Sequence, residues 1–86
     1  MIITCKYLLN DGSYSLRLLT HVSSIHLSKR CVFYWFEGVE HGPFAINLAS
    51  AEDINIMKDE ELSKMNLVGF HRVNMKGFVY EKTLHN

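Results

Sequence analysis

Five side chains that can bind phosphates or read base edges lie in two separate segments of the chain. Lys29 and Arg30 occupy one short polar turn, and Arg72, Asn74 and Lys76 alternate near the end of the sequence. Lysine and arginine neutralise phosphates, and arginine or asparagine can form two hydrogen bonds with one base edge. The sequence therefore predicts contacts with double-stranded DNA, provided that the fold brings both segments to one end. Ordinary charged turns are the alternative interpretation.

A run of aromatic residues predicts a second kind of binding surface. Tyr34, Trp35 and Phe36 belong to the apolar stretch CVFYWF, residues 31–36, whose side chains cannot all face one core. Exposed tyrosine and tryptophan side chains are common at the centres of protein interfaces. This stretch predicts a protein partner or a second copy of the chain, and the protein would then act as an accessory or inhibitor. A core that covers both faces of a central strand is the alternative.

The patterns of residues that catalysis and metal binding require do not occur in this sequence. Its five histidines form no HxxxH or HxH pair, and its two cysteines, Cys5 and Cys31, form no CxxC motif. Neither cysteine has a visible activating partner, and no glycine-rich phosphate loop is present. We therefore expect a protein that is not an enzyme and that uses no metal and no cofactor.

Composition restricts the classes of protein to which the chain can belong. With 86 residues, of which 48% are hydrophobic and 21% charged, residues 1–86 should form a single globular domain. Nine basic residues balance nine acidic ones, which argues against coating nucleic acid by bulk electrostatics. The first residues alternate like a strand rather than resembling a signal peptide, and no apolar run approaches the ~20 residues of a membrane span. We expect a cytoplasmic protein with reduced thiols, away from the membrane.

The elements that position these residues are mostly strands. Residues 2–9 and 13–19 alternate on either side of Asn10, Asp11 and Gly12, which tolerate the positive φ of a tight hairpin turn. Further strands are predicted at about 20–27, 31–36, 44–48, 67–73 and 78–84, with a turn at 74–77 between the last two.

One main helix is predicted at about residues 50–65. Ser50 and Asp53 have the spacing of a capping box, and acidic residues follow where a helix dipole favours them. The predicted fold class is therefore α+β and strand-dominated, with antiparallel hairpins that form a sheet or a small sandwich or roll.

The stretch LVGFHRVNMKGFVY, residues 67–80, resembles the signature strand and turn of LytTR-type DNA-binding domains. Two groups of residues carry the resemblance: Phe70, Arg72, Val73 and Asn74, then Lys76, Gly77, Phe78 and Val79. The resemblance implies a transcription regulator that places loops into successive DNA grooves. It implies that Lys29 and Arg30 lie in one such loop, and Asn74 and Lys76 in another.

Overall fold

The structure, a computed structural model that describes residues 1–74 and 78–85, consists of two antiparallel β-sheets. Eight strands and one short 3-10 helix follow one another along the chain: β1 Ile2–Leu8, β2 Tyr14–Leu19, β3 Val22–Leu27, β4 Cys31–Phe36, β5 Phe44–Asn47, β6 Ala51–Met57, the helix Asp59–Lys64, β7 His71–Asn74 and β8 Val79–Leu84. The larger sheet has the order β6-β1-β2-β8-β7, and the smaller has the order β3-β4-β5. The prediction of a strand-dominated fold built from antiparallel hairpins is confirmed.

The first hairpin forms where the turn residues predict it. Gly12 has a φ of 84°, and Asp11 accepts hydrogen bonds from the Ser13 hydroxyl and, at 2.9 Å, from the Ser13 N–H. The hydroxyl bond first, and then the N–H bond, lower the pKa of the Asp11 carboxyl. Leu9 donates its N–H to the Ser13 carbonyl at 2.9 Å and closes the turn. The register then pairs Ile3 with Leu19 along β1 and β2.

The predicted main helix at residues 50–65 is wrong. Residues 51–57 form strand β6 along the free edge of β1, with Ile56 opposite Ile3, and only the six residues Asp59–Lys64 are helical. The register between β1 and β6 slips by one residue near Asp53, whose φ is 50°. Asp53 therefore belongs to a β-bulge, in which aspartate tolerates the left-handed conformation. Backbone pairing with a distant strand has overridden the local capping signal.

The strand predicted at 67–73 begins later than the alternation suggested. Asn66 accepts a hydrogen bond of 3.1 Å from the Val68 N–H through its side chain, and Gly69 has a φ of 86°. These features turn the backbone before β7 begins at His71. The predicted turn at 74–77 falls mostly on residues 75–77, which lie outside the described residues.

The core lies between the two sheets. β1, β2 and β8 contribute side chains from the larger sheet, and all three strands of the smaller sheet contribute from the other side. The buried members are Ile3, Cys5, Leu19, Val22, Val32, Tyr34, Phe36, Ile46 and Val79. Complete burial of one such aliphatic or aromatic side chain stabilises the fold by about 1.5–3 kcal/mol, so this cluster fixes how the smaller sheet sits on the larger one.

The crossover between β6 and β7 covers the opposite face of the larger sheet. Leu18 faces this side and is only 2% exposed. Leu62, Leu67 and Phe70 from the crossover, together with Leu18 and Tyr80 from the sheet, line a cavity of about 240 Å³. Both faces of the larger sheet are therefore at least partly covered, whereas the smaller sheet has the core on one face only.

Candidate binding surface

The aromatic run in β4 divides between the two faces of the smaller sheet. Tyr34 and Phe36 are buried in the core, where their rings meet edge to face at a centroid distance of 5.5 Å. Trp35 projects from the opposite face and is half-buried. Of the three residues predicted to bind a protein partner, only Trp35 is in a position to do so, because successive side chains of a strand point to opposite faces.

The side of the smaller sheet that faces away from the core is called the outer face here. β4 contributes Cys31, Phe33 and Trp35 to it, and the pairing register places Ser24 beside Trp35 and His26 beside Phe33. The rings of His26 and Phe33 are stacked at a centroid distance of 6.3 Å. On the other side of β4, Ala45 lies beside Phe33 and Asn47 beside Cys31.

The outer face carries no charge. The three strand sequences VSSIHL, CVFYWF and FAIN contain no aspartate, glutamate, lysine or arginine. An apolar aromatic centre surrounded by small polar side chains resembles the centre of a protein interface, where charged residues are depleted and aromatic residues enriched.

Trp35 is held in place by its neighbours. A side chain at Gly42 would place its first carbon 2.8 Å from Trp35 Cδ1, so the loop backbone lies directly against the indole ring. Gly42 also has a φ of 148°, which side-chain-bearing residues rarely adopt. From the neighbouring strand β3, Ser23 donates its hydroxyl to the Trp35 carbonyl at 3.2 Å. A rigid aromatic side chain loses little conformational freedom when a partner covers it.

Charged residues lie at the two ends of the outer face and have opposite signs. Lys29 and Arg30, both exposed, form the turn between β3 and β4, which closes where Ser28 donates its N–H to the Cys31 carbonyl at 3.0 Å. Glu37 and Glu40, also exposed, follow the far end of β4. The outer face is therefore uncharged in the middle, positive at one end and negative at the other.

The residues predicted to contact DNA do not meet in the described part of the structure. The guanidinium carbon of Arg72 lies 5.0 Å from the centre of the Phe78 ring, which packs against Phe36 at the end of the smaller sheet where β3 begins. Lys29 and Arg30 follow the other end of β3, a six-residue strand whose two ends are about 16 Å apart.

The other two residues predicted to contact DNA are less fully described. Asn74 pairs with Val79 through the backbone, and Lys76 lies outside the described residues.

Lys29 and Arg30 border a shallow groove of about 500 Å³ that Asn47, Leu48 and Ala49 complete. The Leu48 N–H donates to the Arg30 carbonyl at 2.9 Å and joins this turn to the connection between β5 and β6. Two cations beside one groove can attract a phosphate or a carboxylate.

Strand β3 is the least protected sheet edge. β6 carries a bulge and two acidic residues, β5 has four residues and follows Pro43, and β7 has four residues with an irregular register. β3 has six uncharged residues and pairs with β4 alone among the described strands. Folded proteins usually blunt an edge with charge, proline, a bulge or short length. In β3 only the bulge near Ser23 does so.

A polar row interrupts the inner face of the larger sheet. Arg17 lies opposite Cys5 and Glu81, with its guanidinium carbon 4.7 Å from the centre of the Tyr7 ring. Its Nε is buried without a hydrogen-bond partner and lies 3.9 Å from Glu81 Oε1, which accepts a hydrogen bond from the Ser15 hydroxyl. The row holds Glu81 and Arg17 beside each other at the partly exposed margin of the core, and it holds no nucleophile paired with a base.

Burial suppresses ionisation along this row. It raises the pKa of the Cys5 thiol, although a hydrogen bond with Tyr7 and the positive charge of Arg17 oppose the change. Burial also raises the pKa of Tyr7 to about 12 and raises that of Tyr34. A buried thiol that resists ionisation is a poor nucleophile, so Cys5 acts as a packing residue.

The part of the chain that the structure describes contains neither a candidate metal site nor a helix that could span a membrane. No group of three histidine, cysteine or carboxylate side chains there is arranged to hold a metal ion. None of the helical segments in residues 1–74 and 78–85 has the length and apolar character needed to cross a membrane.

Phe33 and His26, which lie on the outer face, were not among the residues predicted to bind a partner. Their positions follow from the register of β3 and β4, which pairs Ser24 with Trp35 and His26 with Phe33. The absence of charge from three successive strands was a signal present in the sequence. It would have identified the uncharged face once these strands were assigned to one sheet.

No protein-family model matches the chain, and neither the curated proteins nor the solved structures include a significant match. The resemblance to LytTR-type domains stays a prediction.

Proposed function

We propose that the protein is a non-enzymatic binding module that attaches to a protein partner through the outer face of its smaller sheet. The observation that carries this proposal is the half-buried pair Phe33 and Trp35, centred on a face that has no charged residue. A tryptophan fixed against the loop backbone at Gly42 is a preorganised anchor of the type that dominates binding energy in interfaces.

The size of the outer face specifies what else the partner contacts. Three strands about 4.8 Å apart and about 17 Å long present a face of only ~250 Å² in projection, whereas a standard interface buries ~800 Å² on each side. The partner therefore also covers the two ends. It carries acidic groups that meet Lys29 and Arg30, basic groups that meet Glu37 and Glu40, and an apolar centre between them.

An affinity capture with three forms of the protein tests the proposal. The wild type, Phe33→Glu and the control Val68→Glu are immobilised, and retained proteins are quantified by mass spectrometry. Val68 is apolar and 75% exposed, and it lies in the crossover covering the larger sheet. We expect a partner that wild type and Val68→Glu retain and that Phe33→Glu binds at least about 30-fold more weakly, which corresponds to ~2 kcal/mol. Retention of the same proteins by all three forms would contradict the proposal.

Binding of DNA by the turn between β3 and β4 is a second candidate function. Its support is the groove that Lys29 and Arg30 border beside Asn47. The electrostatic affinity that this turn can supply is modest. Neutralising two phosphates makes log K fall with log salt concentration with a slope of only about −1.8, whereas six to ten phosphate contacts give roughly −5 to −9. The net charge of zero adds no long-range attraction. These magnitudes favour the protein partner.

A mobility-shift assay at low salt separates this second candidate from the first. If the turn binds duplex DNA, wild-type protein retards the duplex and the double variant Lys29→Ala, Arg30→Ala does not. The matched control is Lys58→Ala, Lys64→Ala, which removes the same charge from the segment around the 3-10 helix. Absence of retardation by the wild type, or equal retardation by both variants, excludes the turn as a DNA-binding site.

A further inference from the structure

The edge of strand β3 has backbone groups directed away from its own sheet. Ser28 donates its N–H to the Cys31 carbonyl at 3.0 Å, so the backbone groups of Ser28, His26 and Ser24 face β4. Because the direction alternates along a strand, those of Ile25 and Leu27 point outward. Earlier in the strand, the N–H and carbonyl groups of Val22 are hydrogen-bonded to Met1.

The side chains along this edge indicate that another β-strand could pair with β3. Leu27 faces the core side of the smaller sheet but is 66% exposed, since β3 is the last strand on that side. Ile25 faces the same side and is half-buried. An added strand with apolar residues at matching positions would cover Leu27 and satisfy the outward backbone groups.

We propose that β3 pairs with β3 of a second copy of this chain in antiparallel orientation, with His26 on the two-fold axis. This register pairs Leu27 of each copy with Ile25 of the other and uses the outward backbone groups of both residues. It avoids the bulge near Ser23 and leaves the bonds between Met1 and Val22 intact.

The charges at the strand ends select a second copy as the occupant. In this register the pairing ends with Ser28 of one copy opposite Ser24 of the other, and the turn that carries Arg30 continues toward the end of the other copy's strand, where Met1 bonds Val22. The nearby Glu37 belongs to the same end, because its N–H donates to the His21 carbonyl at 2.7 Å. The positive turn of each copy therefore meets an end that carries Glu37 and the Met1 ammonium, and the ammonium is itself paired with Asp59 at 3.1 Å. No like charges face each other along the uncharged strand. The pairing joins the two smaller sheets into one of six strands.

This pairing uses the backbone edge of β3 and the charges at its two ends, and it does not require the apolar centre of the outer face on which the proposed function depends. It continues that face across the two-fold axis, where a row of rings runs from Phe33 and His26 of one copy to His26 and Phe33 of the other. Loss of pairing would leave the Phe33 and Trp35 surface of each chain intact.

Sedimentation velocity at concentrations up to about 1 mM tests the pairing on the intact chain. We expect the wild type to change from monomer to dimer as its concentration rises, and Leu27→Lys to stay monomeric because it places a charge at the edge. Val68→Lys, which alters a similarly exposed apolar residue elsewhere, should behave as the wild type. A wild type that is monomeric throughout, or a dimer that survives Leu27→Lys, overturns the proposal.

Oxidative crosslinking tests the register itself, in a background with Cys31→Ser so that only buried Cys5 remains. Residues facing each other across the axis in a pair without mutual hydrogen bonds have α-carbons about 4.5 Å apart, within reach of a disulfide. His26→Cys should therefore form a covalent dimer at least ten times faster than Ser24→Cys, which lies on the same face two residues from the axis. Equal rates at the two positions overturn the proposed register.

Discussion

Leu27 and Ile46 flank Val32 in one row of the smaller sheet, facing the core side, yet Leu27 is 66% exposed and Ile46 is 2% exposed. The sheet is therefore closed over the core at β5 and open at β3. The closed side follows from the short connection between β5 and β6, which keeps the two sheets together. The open side is where the structure leaves a strand edge for another chain.

Alanine substitutions at these two positions should have unequal effects on stability. Ile46→Ala removes fully buried methyl groups, and we expect the free energy of unfolding to fall by about 2–5 kcal/mol. Leu27→Ala should cost less than about 1 kcal/mol in the monomer, because most of that side chain is already in water. Urea denaturation at low protein concentration measures both, and equal losses would contradict the open edge at β3.

Gly42→Ala should destabilise the loop that holds Trp35. The new methyl group meets the indole ring at 2.8 Å and the backbone has a φ of 148°, so we expect a loss of at least about 1 kcal/mol and a change in Trp35 emission. Gly38→Ala is the matched control, because Gly38 also has a positive φ but has no atom within 4 Å of the added carbon. Tryptophan fluorescence during urea unfolding reports both quantities. Equal emission spectra for the two variants would show that the loop does not fix the ring.

The two cysteines should react with a thiol reagent at very different rates. Cys31 is half-buried on the outer face, whereas Cys5 is 4% exposed and burial raises its pKa. Intact mass spectrometry during iodoacetamide treatment should show one adduct early, and the second only after urea unfolds the chain. Addition of both groups at one rate in the native protein would contradict the burial of Cys5.

Stability should fall at alkaline pH. Burial raises the pKa values of Cys5, Tyr34 and Tyr7, the last from 10.0 to about 12, so the folded state retains protons that the unfolded state releases. A group with a raised pKa contributes stability that is complete below its unfolded value and is lost as the pH passes through its folded value. For Tyr7 this window lies between pH 10 and about 12. Urea unfolding at several pH values across this window should show the free energy of unfolding falling with pH, and falling less in Tyr7→Phe. The same dependence on pH in that variant and in the wild type would contradict the raised pKa of Tyr7.

Local signals in the sequence predicted the elements that depend on local chemistry. Asn10, Asp11 and Gly12 specified the first hairpin, and the apolar residues of 31–36 specified the central strand of the smaller sheet. The helix at 50–65 was wrong because Ser50 and Asp53 imitate a cap, whereas β6 exists through pairing with β1, about 50 residues earlier in the chain. Long-range pairing of this kind leaves little trace in local spacing.

The candidate surface was predictable only in part, for the same reason. In an entirely apolar strand such as β4, the sequence does not indicate which side chains face the core. The strand alone therefore did not show that Trp35 lies on the surface while Tyr34 and Phe36 are buried; the pairing with β3 shows it. Similarly, no local pattern shows that Arg72, in β7 of the larger sheet, lies near one end of the smaller sheet while Arg30 lies at the other.

The fluorescence of Trp35 during titration with the captured partner tests the central claim most directly, because it is the only tryptophan in the chain. If the outer face is the binding surface, the partner covers the indole ring. Emission then shifts to shorter wavelength and acrylamide quenching falls as the complex saturates, after correction for tryptophan in the partner. A partner that binds wild type while Trp35 emission and quenching stay unchanged would contradict the claim.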